Sequence, residues 1–174
     1  MTGNYTFFWK NRSPFSQWYP SKFVDTYGME FCRAEQYMMY SKAMLFKDEA
    51  TAKKIMATTD PKEQKDLGRQ VANFKPVIWD HYCCDVVRAG NWFKFTQNEK
   101  CREALMATGD SLLVEASPYD KIWGIGFDEE HALDNINYWG KNYLGECLTQ
   151  IRDWIREHPA EVFPNLRPIE KETI

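Results

Sequence analysis

The sequence predicts an α+β fold, a mostly helical single domain with a small β-sheet or hairpin, and three observations point there. Runs of aromatic and β-branched residues suited to strands are few and short, at residues 5–9, 22–24, 29–32 and 112–116. Helix start and stop signals recur between and after them. Strands and helices do not alternate regularly, as a doubly wound parallel sheet would require. At 174 residues the chain is long enough for one domain with a substantial core. The expected domain is 1–174, with its core at about 7–158 and an irregular, proline-bearing strap at 159–174.

Tyr5-Thr6-Phe7-Phe8-Trp9 is short and aromatic, which suits a strand. Residues 10–21 contain Pro14, Pro20 and several small polar side chains, hence a loop, yet Phe15, Trp18 and Tyr19 lie in it. Solvent-facing loops rarely expose that much aromatic area, so this one folds back, either over the core or over a ligand. Asp25-Thr26-Tyr27-Gly28 reads as a hairpin turn, with Gly28 available for positive φ. A helix is expected over 34–46, and Asp48 caps another that runs through 57. Asp60-Pro61-Lys62-Glu63 combines a capping Asp, Pro at the first helical position and Glu three residues on, opening a helix that ends near Leu67-Gly68-Arg69. Pro76 opens a further helix that stops at Gly90, and 91–95 form a short connector. Thr96-Gln97-Asn98-Glu99 is a second capping box, before a helix ending ahead of Gly109. Residues 112–116 make a buried strand and 117–126 a loop with a short apolar piece. The last long helix spans 142–157, with Leu144, Leu148, Ile151 and Ile155 along one side.

Aromatic residues make up 16% of the chain, with seven Trp, more than a pocket alone could use, so most of these rings belong to the core. A minority would line a pocket that stacks on a flat, ring-shaped ligand. Net charge is −3 with no long single-sign run, which excludes a broad electropositive groove for nucleic acid and leaves only a local patch or a chain end. No stretch is long and apolar enough to span a membrane, and Met1-Thr2-Gly3-Asn4 lacks a basic-then-apolar export pattern, so a cytoplasmic location is expected. The cysteines Cys32, Cys83, Cys84, Cys101 and Cys147 are odd in number and contain no CxxC pair. His81-Tyr82-Cys83-Cys84 lacks a second ligand pair at suitable spacing, so the thiols read as reduced and mostly buried, and neither a metal nor another cofactor is expected.

Chemistry concentrates in Glu35-Gln36-Tyr37-Met38-Met39-Tyr40-Ser41-Lys42-Ala43. On a helix, Glu35, Met38, Met39 and Lys42 share a face, because positions three, four and seven apart align. A carboxylate and an amine on an otherwise apolar face make either a buried ion pair that staples the helix to its neighbours or a reactive pair. Trp123-Gly124-Ile125-Gly126 can be a tight turn and is not a dinucleotide fingerprint, which needs a strand before it and a helix behind. Lys94 reads either as a solvated surface amine or as an anion contact.

The order of the motifs carries more than any one of them. They are Phe15-Ser16-x-x-Tyr19-Pro20-Ser21, Ala34-Glu35-Gln36-Tyr37-Met38-Met39 with Lys42-Ala43, Leu67-Gly68-Arg69, and a turn written Gly90-Asn91-x-x-Lys94-Phe95. Thr108-Gly109-Asp110, Glu115-Ala116-Ser117-Pro118-x-Asp120-x-x-Trp123-Gly124-Ile125-Gly126 and Trp139-Gly140-x-Asn142-x-Leu144-Gly145 follow. From about Phe7 to Arg152 the chain resembles the NADAR family, also called YbiA-like. One departure is Gln17, where many relatives carry Asn, a side chain one carbon shorter. The resemblance implies an N-glycosidase in one of two branches. One removes ADP-ribose from guanine bases; the other cleaves ribosylamino-pyrimidine phosphates of the riboflavin pathway. Both bonds join ribose C1′ to an exocyclic amine of a flat, electron-rich ring.

A glycosylamine can open its sugar ring to an imine, which an uncharged lysine can attack at C1′, leaving a Schiff base for water to hydrolyse. Lys42 is the expected nucleophile, its amine kept neutral by an apolar, partly buried face provided by Met38, Met39 and nearby rings. Glu35 is the expected acid/base, contacting sugar or leaving amine rather than pairing tightly with Lys42, and Asp120 is the second carboxylate. Trp123 would stack on the leaving base, while Gly124 and Gly126, flanking Ile125, would let backbone amides approach phosphate. Arg12, Arg69 and Lys94 are the expected phosphate contacts, and Phe15, Ser16, Trp18, Tyr19 and Asn91 complete the substrate-binding set. The expected partners are ADP-ribosylated guanine, as nucleotide or in DNA, and a separately encoded ADP-ribosyltransferase, with no membrane. The guanine branch is favoured over the riboflavin branch because no riboflavin-pathway domain is attached in this sequence. Two rivals remain: a module that binds ADP-ribose or NAD without cleaving it, and an interaction protein whose Glu35 and Lys42 form a buried salt bridge.

Overall fold

Side-chain caps at Asp48, Asp60 and Asp128 open three of the helices, and strands survive only as short aromatic or aliphatic runs. In the computed structural model the described residues are 4–159 and 161–163. Their order is β1 (Tyr5–Phe8), β2 (Phe23–Val24), β3 (Glu30–Phe31), α1 (Ala34–Leu45), α2 (Glu49–Met56), α3 (Pro61–Gly68), α4 (Pro76–Gln97), α5 (Glu99–Met106), β4 (Leu112–Glu115), α6 (Glu129–Ala132), a 3₁₀ turn (Leu133–Tyr138) and α7 (Tyr143–Glu157). This is the expected mostly helical α+β fold. No helix among the described residues is long and apolar enough to cross a membrane. Most of the strap expected at 159–174 lies outside the described residues. The chain divides into two compact units, one holding residues 4–19 and 99–161, the other residues 20–98 with Val162 and Phe163.

In the unit of residues 20–98, α1 packs on α2, α3 and α4. Asp48 accepts the Thr51 amide at 3.0 Å to cap α2, and Asp60 accepts the Lys62 amide at 2.9 Å to cap α3, with Pro61 at the first position. Buried Gln36 fastens α1 to the chain on either side: its Oε1 accepts from Cys32 N–H at 2.8 Å and its Nε2 donates to the Ile55 carbonyl at 3.2 Å. The short hairpin β2–β3 pairs Phe23 with Phe31, and both rings pack with Phe93, Tyr37 and Tyr40.

The helix expected to stop at Gly90 does not stop. α4 runs 22 residues from Pro76 to Gln97, so 91–95 are helix rather than connector. Glycine in a helix interior costs about 1 kcal/mol relative to alanine, and close packing of α1 on α4 offsets it. A Cβ at Gly90 would stand 2.6 Å from Tyr37 Cδ1. The capping box expected at Thr96 also fails. The Thr96 hydroxyl donates back to the Trp92 carbonyl at 2.6 Å, inside α4, and the break falls at Asn98, whose side-chain amide donates to the Lys94 carbonyl at 2.8 Å.

In the other unit β1 and β4 pair in parallel, Tyr5 opposite Leu112 through Phe8 opposite Glu115. α7 lies against β4. Val114, Ala116, Ile125 and Ala132 form a core cluster, with Phe7, Phe127 and Trp139 around it. Asn142, at φ 50°, precedes α7 and ties it to β4: its Oδ1 accepts the Glu115 amide and its Nδ2 donates to the Leu113 carbonyl, both at 3.0 Å. Gly145 lies against the same Leu113 carbonyl and the Asn142 side chain, so the Asn142-x-Leu144-Gly145 motif is accounted for by packing.

Candidate active site

Lys42 sits in the last turn of α1, half-buried. The rings beside it are Phe74, whose centroid is 4.5 Å from Nζ, and Trp79, at 5.7 Å. Burial holds the amine below its ordinary value of 10.5, the Arg69 guanidinium adds repulsion, and Glu35 opposes both by a smaller attraction. The Phe74 and Trp79 ring faces act the other way, favouring the ammonium by about 0.5–1 kcal/mol. No ion pair joins Lys42 to a carboxylate among the described residues. Glu35 is buried two turns earlier, roughly 10 Å along the helix axis. That spacing leaves the amine unlocked while keeping a carboxyl on the same face. Arg69 follows α3, largely exposed, 4.0 Å from Asp66.

Sequence reasoning expected Met38 and Met39 to house the amine. Both are buried, but the Met39 thioether lies against Gly68 of α3. The nearby rings expected beside the amine are Phe74 and Trp79, and periodicity within α1 could not reveal residues so far along the chain. The available signal was Phe74-Lys75-Pro76, an aromatic residue in a loop directly before a Pro-initiated helix.

Asn91 and Lys94 are not in a turn. Both lie in α4 and are wholly buried, so Lys94 is not a solvated surface amine. The Lys94 Nζ stands 4.9 Å from the Phe95 centroid, and Asn91 donates to the Val87 carbonyl at 2.8 Å.

The remaining candidates belong to the unit of residues 4–19 and 99–161. Phe15 is buried and packs edge-on to Phe8 at 5.6 Å, so at that residue the aromatic loop caps the core. The Ser16 hydroxyl accepts the Trp18 amide at 3.1 Å, closing a turn, and Trp18 and Tyr19 stay half-exposed, while Arg12 is exposed. Asp120 Oδ1 accepts the Ile122 and Trp123 amides at 2.8 and 2.9 Å, which makes this carboxylate an organiser of its own loop. Five backbone hydrogen bonds then fix that loop to the approach to α7, including Gly140 N–H to the Ile125 carbonyl at 2.8 Å and Leu144 N–H to the Trp123 carbonyl at 3.1 Å. Trp123 meets Tyr143 edge-on at 5.8 Å, and Ile125 is core. A Cβ at Gly124 would stand 2.7 Å from the Glu115 carbonyl, so close backbone packing already requires glycine there. Gly126 has φ +79°, a conformation glycine adopts readily.

An amine shielded by two rings, with a carboxyl two turns away and no ion pair to lock it, has the parts of a lysine nucleophile with an acid/base partner. The comparisons with known proteins place the chain in a family. The NADAR domain model matches residues 7–156, and the chain belongs to the NADAR family. N-glycosidase R617 of Acanthamoeba polyphaga mimivirus is 47% identical over 146 residues, covering 80% of this chain and 85% of that protein. Protein irg-1 of Caenorhabditis elegans is 38% identical over 189 residues, covering 98% and 88%. The solved structure of the E. coli protein YbiA shares the fold, with a TM-score of 0.73 at 24% identity over 94% of this chain and 91% of that one.

Proposed function

We propose that this chain is an N-glycosidase, as its mimivirus relative is named, and that it removes ADP-ribose from ADP-ribosylated guanine through a Schiff base on Lys42. The observation that carries the mechanism is the Lys42 amine under Phe74 and Trp79, its proton affinity lowered first by burial. The substrate's ring-opened form is an imine at C1′. Neutral Nζ adds to C1′, and one of its protons passes to the former imine nitrogen, leaving Nζ a neutral secondary amine. The C1′–N bond to the base then breaks, and the base departs as a free amine with a proton from Glu35. The electron pair on Nζ closes the Schiff base to C1′. Water, losing a proton to Glu35, adds to C1′; the new hydroxyl's proton passes to Nζ as the C1′–Nζ bond breaks, and the sugar aldehyde and neutral Lys42 are released, with one water consumed overall.

Side-by-side assays of ADP-ribosylated guanine nucleotide, the same lesion in DNA, and a ribosylamino-pyrimidine phosphate test the substrate. Release of free ADP-ribose from the first two at rates well above the third is expected. Faster release from the pyrimidine substrate would instead put the chain in the riboflavin branch. Tight ADP-ribose binding without release would make it a binding module.

A further inference from the structure

We propose that Asp48 is a positioning residue for Lys42: through three hydrogen bonds it fastens the loop carrying Phe74 to the end of the helix carrying the amine. The inference rests on Lys42 being the nucleophile proposed above.

α1 ends one turn past Lys42 in a paired closure. Lys47, at φ 57°, donates its N–H to the Met44 carbonyl at 3.0 Å, and Asp48 donates its N–H to the Ala43 carbonyl at 2.8 Å. The Asp48 side chain then divides its two oxygens. Oδ1 accepts Thr51 N–H at 3.0 Å, starting α2, and Oδ2 accepts Ala72 N–H at 2.8 Å, across the chain in the loop before α4. Ala72 lies between buried Val71 and Asn73, which is held at φ 60°, and Phe74 follows. The Phe74 ring meets Phe46, the residue ending α1, edge-on at 5.3 Å and covers Lys42 Nζ at 4.5 Å. Phe74 is itself 40% exposed, so packing covers its ring only in part and the backbone tether helps set where it stands.

The charged groups acting on Lys42 are Arg69, beyond α3, and Glu35, on its own helix, while Lys54 acts on Asp48. The hydrogen bonds from Ala72 and Thr51 hold the Asp48 carboxyl below its ordinary range, so it is ionised and the tether intact at neutral pH.

Asp48→Asn and Asp48→Ser both keep an oxygen able to cap α2, but neither offers two acceptors, so either loses the Ala72 bond or the cap. Together with Phe74→Ala they should slow turnover at pH 7 by about fivefold, with the rate recovering at higher pH as the less shielded amine is deprotonated. Independently of activity, ¹³C-reductive methylation followed by NMR titration, with the Lys42 signal assigned by its loss in Lys42→Arg, should show Lys42 titrating at higher pH in all three variants. A lower melting temperature with an unmoved Lys42 titration and pH profile in both Asp48 variants would reduce Asp48 to a helix cap and overturn the proposal. So would a shift in Phe74→Ala alone. If Lys42→Ala keeps normal turnover, the nucleophile reading fails, yet the titration still reports whether the tether exists.

Discussion

At Lys42 several small effects set the charge. Burial and Arg69 lower its affinity for a proton, and Glu35 partly restores it. With a depressed value the neutral, nucleophilic fraction is larger at any pH below the titration, so the rate rises with pH until the amine has lost its proton. Arg69 is the lever easiest to remove. Its side chain is 70% exposed, so solvent screens its repulsion, which contributes no more than about 1 kcal/mol. Arg69→Gln should therefore move the acidic limb of the kcat profile to higher pH, slowing the reaction at pH 7 by roughly twofold to fivefold, with the effect fading in high salt. An unmoved limb with a raised KM would make Arg69 a substrate contact instead. That Lys42 and Glu35 lie on one helix, two turns apart, was legible because helical spacing is written locally in the chain. Phe74 and Trp79 were not, since what brings them to Lys42 is a tether from Asp48 to Ala72 and the packing of α4 on α1.

At the scale of elements, one glycine misled. Gly90 reads as a stop signal, yet it serves as the point where α4 approaches Tyr37 of α1. That one residue turned a 22-residue helix into a helix, a connector and a capping box, and moved Asn91 and Lys94 from a buried face to a turn. Local chemistry at Asp48 and Asp60 was read correctly, because a cap needs only its own next few residues. Gly90→Ala separates the two readings. A stop-signal glycine would gain helix stability on becoming alanine, by up to about 1 kcal/mol. The contact with Tyr37 predicts the opposite, a loss of about 1–3 kcal/mol from overpacking, read as a lower melting temperature.

Over the whole chain, the family match from residue 7 to residue 156 runs through both compact units. Several of the motifs that carry the resemblance have structural duties: Gly124 for close packing beside β4, Asn142 and Gly145 for docking α7, Asp120 for its own loop. A motif's chemistry could be read from sequence as a list of reactive residue types. For Gly124, Asn142 and Gly145 the backbone partners, Glu115 and Leu113, lie far along the chain and could not be read from sequence, whereas the amides that hold Asp120 are two and three residues on. The proposed function puts the chemistry on the amine of Lys42. Borohydride added during turnover of ADP-ribosylated guanine, followed by peptide mass analysis, tests that most directly. A reduced sugar adduct confined to the Lys42 peptide is expected, absent from a folded and inactive Lys42→Ala. Full turnover by Lys42→Ala, or an adduct on another lysine, would contradict it.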